Sequence, residues 1–279
     1  MFQDYPQWLD RALAFGIEQG QRWLTVFGID TLRYLLAAAL VSFVLFACCG
    51  TWSARRRIQN KRAKAADIRR EIRYSLQTTA VYATVALFTI EAMSRGWLQK
   101  YTALADYPGW YTALTLPLLL VLHDAYFYWV HRAMHHPKLF RHLHLVHHQS
   151  RTPTPWAAYS FAPGEALLMA LFVPAMLALI PLHGAVIVVF LAIMILRNAM
   201  GHSGIEFHPQ GWVDGPLDCL TTTTHHDLHH QHFKGNYGLY FTWWDRWMGT
   251  EFDDYKTRFR QAAGSGPKSR ATTTAAQEE

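Results

Sequence analysis

Sixteen histidines stand in this 279-residue chain, and their spacing is what could do chemistry. His131 and His135 are four residues apart, so a helix stacks them on one face. His144, His147 and His148 follow an i, i+3, i+4 pattern, and His226, His229 and His230 repeat it. Eight imidazoles on three helical faces can surround two metal ions. Imidazole suits iron, zinc, copper and nickel. A single structural zinc takes about four ligands, usually with cysteine among them, so eight histidines without cysteine fit a two-metal centre better. His202 offers a ninth ligand. Asn198, four residues earlier on the same helical face, offers a weak or water-mediated one. Asp124 and Asp227 are placed to accept the distal N–H of ligand imidazoles, although either could equally be a capping or surface carboxylate.

The remaining histidines have simpler readings. His183 and His208 read as isolated structural residues. His136, His142, His225 and His232 adjoin the clusters and read as supporting or surface groups. The runs are interleaved with Trp, Tyr, Phe and Leu, which sets them apart from low-complexity metal-binding tracts. Other acidic residues near the clusters are Glu165 and Asp218. The Glu-x-x-His pairs of soluble di-iron bundles are absent, as are G-x-S-x-G and H-E-x-x-H. No phosphate-binding or dinucleotide loop is visible, so any reductant must come from another protein. Cys48, Cys49 and Cys219 form no metal-binding pair and read as small buried apolar residues.

The elements that must position these residues are membrane helices. Apolar residues make up 51% of the chain and charged ones 16%, against about 25% charged in soluble domains. Apolar blocks occupy Leu32–Cys49, Leu76–Met93 and Tyr111–Val130, each near the roughly 20 residues that span a bilayer. Two shorter blocks, Ala166–Leu182 and Ala185–Leu196, meet at Pro181–Gly184 and read as a helical hairpin. The formal charge of +6 is concentrated between Arg55 and Arg73, in a loop between spans. That location argues for membrane topology rather than nucleic-acid binding. With this loop cytoplasmic, the chain crosses so that the histidine clusters fall on the same side and His183 on the other. The expectation is an all-α, multi-pass integral membrane protein with four to five transmembrane or hairpin helices and a cytoplasmic helical cap. Residues 1–110 would form N-terminal helices and the basic loop, 111–261 the histidine-bearing region, and 262–279 a disordered tail. No cleavable signal peptide is expected.

These residues resemble the sterol desaturase branch of the fatty acid hydroxylase superfamily. The resemblance begins at His123-Asp124-Ala125-Tyr126-Phe127-Tyr128-Trp129-Val130-His131-Arg132 and His135, then continues through His144-Leu145-Val146-His147-His148 and Thr152-Pro153-Thr154-Pro155-Trp156. Phe161-Ala162-Pro163 stands where relatives often read Phe-His-Pro. It closes with His225-His226-Asp227-Leu228-His229-His230, Asn236-Tyr237-Gly238 and Trp244-Asp245-Arg246. The resemblance implies that His131, His135, His144, His147, His148, His226, His229 and His230 hold two iron ions, with zinc a substitute in purified protein. Some relatives carry two histidines four apart where this chain has Asn198 and His202. The implied reaction is dioxygen-dependent hydroxylation or desaturation at a lipid C–H bond. A separate donor (cytochrome b5-like, ferredoxin or reductase) would supply electrons. Phe161, Trp156 and the hairpin would exclude water and orient a sterol, sterol-like or acyl substrate. A zinc-dependent membrane hydrolase and a metal-binding membrane protein are the alternatives from other classes.

Overall fold

A computed structural model describes residues 7–264. The longest helix, α1, runs Gln7–Ser42 and continues through a π-helical turn at Phe43–Cys48. α2 is Gly50–Arg55 and α3 is Ala65–Ser94. Trp23 Nε1 donates to Thr84 Oγ1 and Thr31 pairs with Thr79, each at 3.0 Å, so α1 and α3 run antiparallel. α4, Gly109–Met134, and α9, Gly184–Gly201, pack together, and α9 also packs on α1. Between them, α7 (Pro163–Ala170) and α8 (Phe172–Leu179) form the first arm of the expected hairpin.

Among the described residues, three helices are long and apolar enough to cross a membrane: Arg11–Cys48, Gly109–Met134 and Gly184–Gly201. Two of the expected apolar blocks look different in the structure. The first helix is continuous for about 25 residues before Leu32, because Leu13, Phe15, Ile17, Leu24 and Ile29 extend its exposed apolar surface. α3 is long enough, but Thr78, Thr79, Thr84 and Thr89 dilute its apolar character. Large apolar side chains point outward along this bundle, as at Phe88 and Val188, 72% and 67% exposed. That is a surface built for lipid rather than water.

One end of the bundle is closed by a two-residue parallel pairing of β1, Lys100–Tyr101, with β2, Leu182–His183. His183 caps α9 there, its Nδ1 accepting from the Ala185 N–H. The other end carries the cap: α5 (Pro137–Leu143), α6 (Leu145–His148), α10 (Thr223–His232), α11 (Trp243–Trp247) and α12 (Tyr255–Ala263). The basic loop lies against this end. Arg56 donates to the carbonyls of Glu206 and His208, and the Ile58 N–H donates to Gly204 O.

Two further expectations change. Ala262 and Ala263 are buried on α12, so the folded region extends past the expected tail boundary; most of that tail lies outside the described residues. Cys48 is exposed, and Cys49 and Cys219 are half-buried, because the π-turn and the short helical turn Pro216–Cys219 leave them at the surface.

Candidate metal centre

Four segments deliver the histidines. The last two turns of α4 present His131, with His135 capping that helix. α5 and α6 break at His144, whose extended φ of −125° makes it the last residue of one turn and the first of the next. The expected face over His144–His148 is kept on α6, with His144 as its N-cap and the His148 N–H donating to His144 O. α10 supplies His226, His229 and His230 from one turn and a half. Its N-terminus is fixed by Thr222, which accepts from the His225 N–H, and by Glu206, which accepts from both the N–H and hydroxyl of Thr224. His202 caps α9.

Nine imidazoles converge in two groups. His131, His135, His144, His148 and His229 form one; His147, His202, His226 and His230 form the other. The two triplets are therefore split. In each, the i and i+4 members enter one group and the i+3 member crosses to the other. His144 and His148 join the first group while His147 crosses; His226 and His230 join the second while His229 crosses.

The imidazoles are oriented from behind. Nδ1 of His131 donates to Tyr237 O (2.9 Å), His202 to Asn198 O (2.8 Å), His229 to Gly235 O (2.8 Å) and His230 to Ser150 O (3.0 Å). A carbonyl can only accept, so these rings carry their proton on Nδ1 and, when neutral, an unshared pair on Nε2. Yet Nε2 of His202 and His230 lie 3.2 Å apart. Two lone pairs held face to face need a cation between them, and the donor set therefore fits a metal ion. Two nitrogens about 2.1 Å from one ion lie about 3.0 Å apart at a right angle and about 3.4 Å apart at the tetrahedral angle. The pairs His131–His144 (2.9 Å), His135–His148 (3.1 Å) and His202–His226 (3.0 Å) match the right angle. Burial keeps the cluster neutral and ready to bind. It lowers His135 and His202 to about 4. Burial reinforced by neighbouring imidazoles holds His144, His147, His148, His226, His229 and His230 well below the ordinary value.

Comparison with known proteins fits this geometry. The fatty acid hydroxylase family model matches residues 116–250. The rat lathosterol oxidase is 30% identical over 233 residues, covering 79% of this chain and 75% of the relative. A Delta(7)-sterol 5(6)-desaturase of Aspergillus fumigatus is 31% identical over 244 residues, covering 81% and 73%. The human lathosterol oxidase is 34% identical over 191 residues, covering 66% and 61%. The chain belongs to the sterol desaturase branch of the fatty acid hydroxylase superfamily. No solved structure matches it. As a member of that branch it is a membrane oxidoreductase of lipid metabolism.

Within this sterol desaturase fold the carboxylates take places that spacing did not reveal. Asp124 Oδ1 accepts the backbone N–H groups of Leu239, Tyr240 and Phe241 at 2.7–3.2 Å, clamping the cap to α4 rather than steering a ligand imidazole. Asp227 accepts from the side chains of Gln59 and Gln231, joining the basic loop to α10. The carboxylate beside a clustered ring is Glu165 on α7: His144 Nδ1 lies 2.8 Å from its Oε1, close without the alignment of a hydrogen bond. Asn198 is buried and its amide donates to Ala158 O (2.7 Å). Glu206, absent from the sequence reading, anchors α10 and accepts from His208. Glu71 accepts from Thr154 in the Thr-Pro-Thr-Pro stretch, and burial pushes it up to about 7. His136, His142 and His232 are exposed. His123 and His225 are buried outside both groups, His123 against Tyr240 OH and His225 against Tyr255.

Proposed function

We propose that this chain is a membrane-bound di-iron oxygenase that hydroxylates or desaturates a C–H bond of a sterol, sterol-like or fatty acyl lipid, with dioxygen as co-substrate and electrons from a separate donor protein. The observation that carries this reading is the pair of histidine groups whose unprotonated nitrogens face each other. One holds five imidazoles, more than a tetrahedral zinc shell takes. The names of the relatives, lathosterol oxidase and Delta(7)-sterol 5(6)-desaturase, favour a sterol-like substrate.

His131, His135, His144, His148 and His229 would hold one iron, and His147, His202, His226 and His230 the other, with Asn198 beside the second. When bound, the irons supply the redox chemistry that activates dioxygen and removes hydrogen from carbon. The chain supplies position and dryness. The carbonyls of Tyr237, Asn198, Gly235 and Ser150 fix the tautomers. Asp124 and Asp245 hold the 237–241 segment over the cluster. Phe161, packed on His147 with ring centroids 5.2 Å apart, keeps water from the membrane side. The basic loop at the histidine end would be cytoplasmic under the positive-inside tendency, which gives a soluble or membrane-tethered electron donor access to the cap. Residues 1–110 would then serve as membrane helices and loop, and 111–261 as the catalytic region.

The test is elemental analysis of detergent-purified protein from iron-supplied cells, together with dioxygen-dependent turnover of lipid extract followed by mass spectrometry. About two irons per chain and a product sixteen mass units heavier, or two lighter, are expected. Two zincs under iron-replete conditions, with no oxygen-dependent product, would replace this reading with a hydrolytic or structural one.

A further inference from the structure

A cavity of about 350 Å³ lies in the membrane half of the bundle, between α1, α3, α8 and α9. Small-molecule pockets occupy roughly 300–1,000 Å³. Its walls are mostly aliphatic and aromatic, yet Asp30 and Arg33 of α1 line it. They form an ion pair at 2.9 Å, with side chains 12% and 20% exposed. Ionisable residues inside membrane spans are costly and mark function. Cross-linking of helices does not explain this pair, since both members sit on one helix, three residues apart. Arg33 Nε is buried, and the buried Tyr159 hydroxyl lies against the guanidinium within hydrogen-bonding reach.

The pair sits at the end of the cavity nearer the histidines. Tyr34, next to Arg33, stacks on Tyr159 (5.8 Å between centroids), Tyr159 contacts Phe161 (6.3 Å), and Phe161 packs on His147 (5.2 Å). Lys100 and Gly184, beside the short strand pairing, line the opposite end.

Resting on the lipid-oxidising reading above, we propose that Asp30 and Arg33 anchor the hydroxyl group of a neutral lipid alcohol in this cavity. Asp30 accepts the hydroxyl proton and Arg33 donates to the hydroxyl oxygen. A hydroxyl is both donor and acceptor, and an ion pair without net charge complements a neutral group that is both. A carboxylate or phosphate would instead face the Asp30 charge. Both residues lie outside the 116–250 segment matched by the family, so substrate class is read by a helix other than those holding the imidazoles.

The test is equilibrium binding to the full chain, iron-loaded and reconstituted in lipid nanodiscs. The probes are lathosterol and its hydroxyl-free analogue cholest-7-ene, then octadecanol, octadecane and octadecanoate. At least one alcohol should bind about 10-fold or more tighter than its hydrocarbon, about 1.4 kcal/mol, and octadecanoate no tighter than octadecanol. Asp30→Asn and Arg33→Met should shrink the alcohol preference to within about 2-fold while metal content stays at the wild-type value. Should these variants fail to fold, photolabelling of the wild type by a diazirine-bearing sterol alcohol decides: label on the Asp30–Arg33 peptide is expected. Equal binding of alcohol and hydrocarbon, preference for octadecanoate, no binding of either alcohol, or label confined to other peptides each overturns the anchor. Failure of the oxidation reading looks different: alcohol-dependent binding would persist, with no oxygen-dependent product from the bound alcohol.

Discussion

The two histidine groups are made by the same device and differ by one donor. Each takes an i, i+4 pair from one triplet and the i+3 member of the other. The first then gains two histidines from the end of α4, His131 and His135. The second gains His202 from the end of α9, and at the matching position four residues earlier it has Asn198. The group with fewer imidazoles is also the one on which Phe161 packs. The difference teaches that two otherwise parallel halves of the cluster part at one position, where the second group has Asn198 in place of a histidine and that amide donates to Ala158 O.

The sharpest way to break that description is to remove a crossing member. His147→Ala or His229→Ala should lose most bound metal and at least about 100-fold in turnover, since each leaves one group while disturbing the helix that serves the other. Retention of two metals and full turnover by either, in elemental analysis and product assays, would sink the paired arrangement. Next in size, His226→Ala should cost more metal than His135→Ala, because a set of four has less to spare than a set of five. Equal losses would make the two groups equivalent. Asn198→His should keep metal content but lower turnover about 10-fold, because it removes the amide donor to Ala158 O and adds a ring beside the second group.

Acidity tests the same rings without mutation. Burial holds His135 and His202 at about 4, below the roughly 6.5 of an unfolded chain. As pH falls below about 6.5 the unfolded chain therefore takes up protons first, so their contribution to stability is full above that value and lost progressively toward pH 4. The melting temperature of metal-stripped protein should fall over that window. A flat profile would mean that these rings are open to solvent. The smallest effect belongs to His183→Ala at the far end: about 1 kcal/mol of stability from a lost helix cap, with turnover unchanged.

The histidine spacing was legible because helices impose it, and it survives even where α5 and α6 break at His144. The division into two groups was not legible, since i, i+3 and i+4 all look like one face until neighbouring helices arrive from two sides. Carboxylate roles were hidden for a related reason. Glu165 reaches His144 from α7 and Asp124 reaches the backbone of Leu239–Phe241, contacts between distant segments that no local period announces. Apolar blocks located the membrane helices, but not that α1 begins 25 residues earlier, because its polar and apolar residues alternate there without a clear block.

The Asp30–Arg33 pair has a bearing on how the protein is made. Two charges on separate helices would each enter the bilayer alone and wait there for a partner. On one helix, three residues apart, they meet as soon as that turn of helix forms. What crosses the membrane boundary is then a short internal dipole rather than two bare ions. Insertion of α1 during synthesis need not await any later part of the chain.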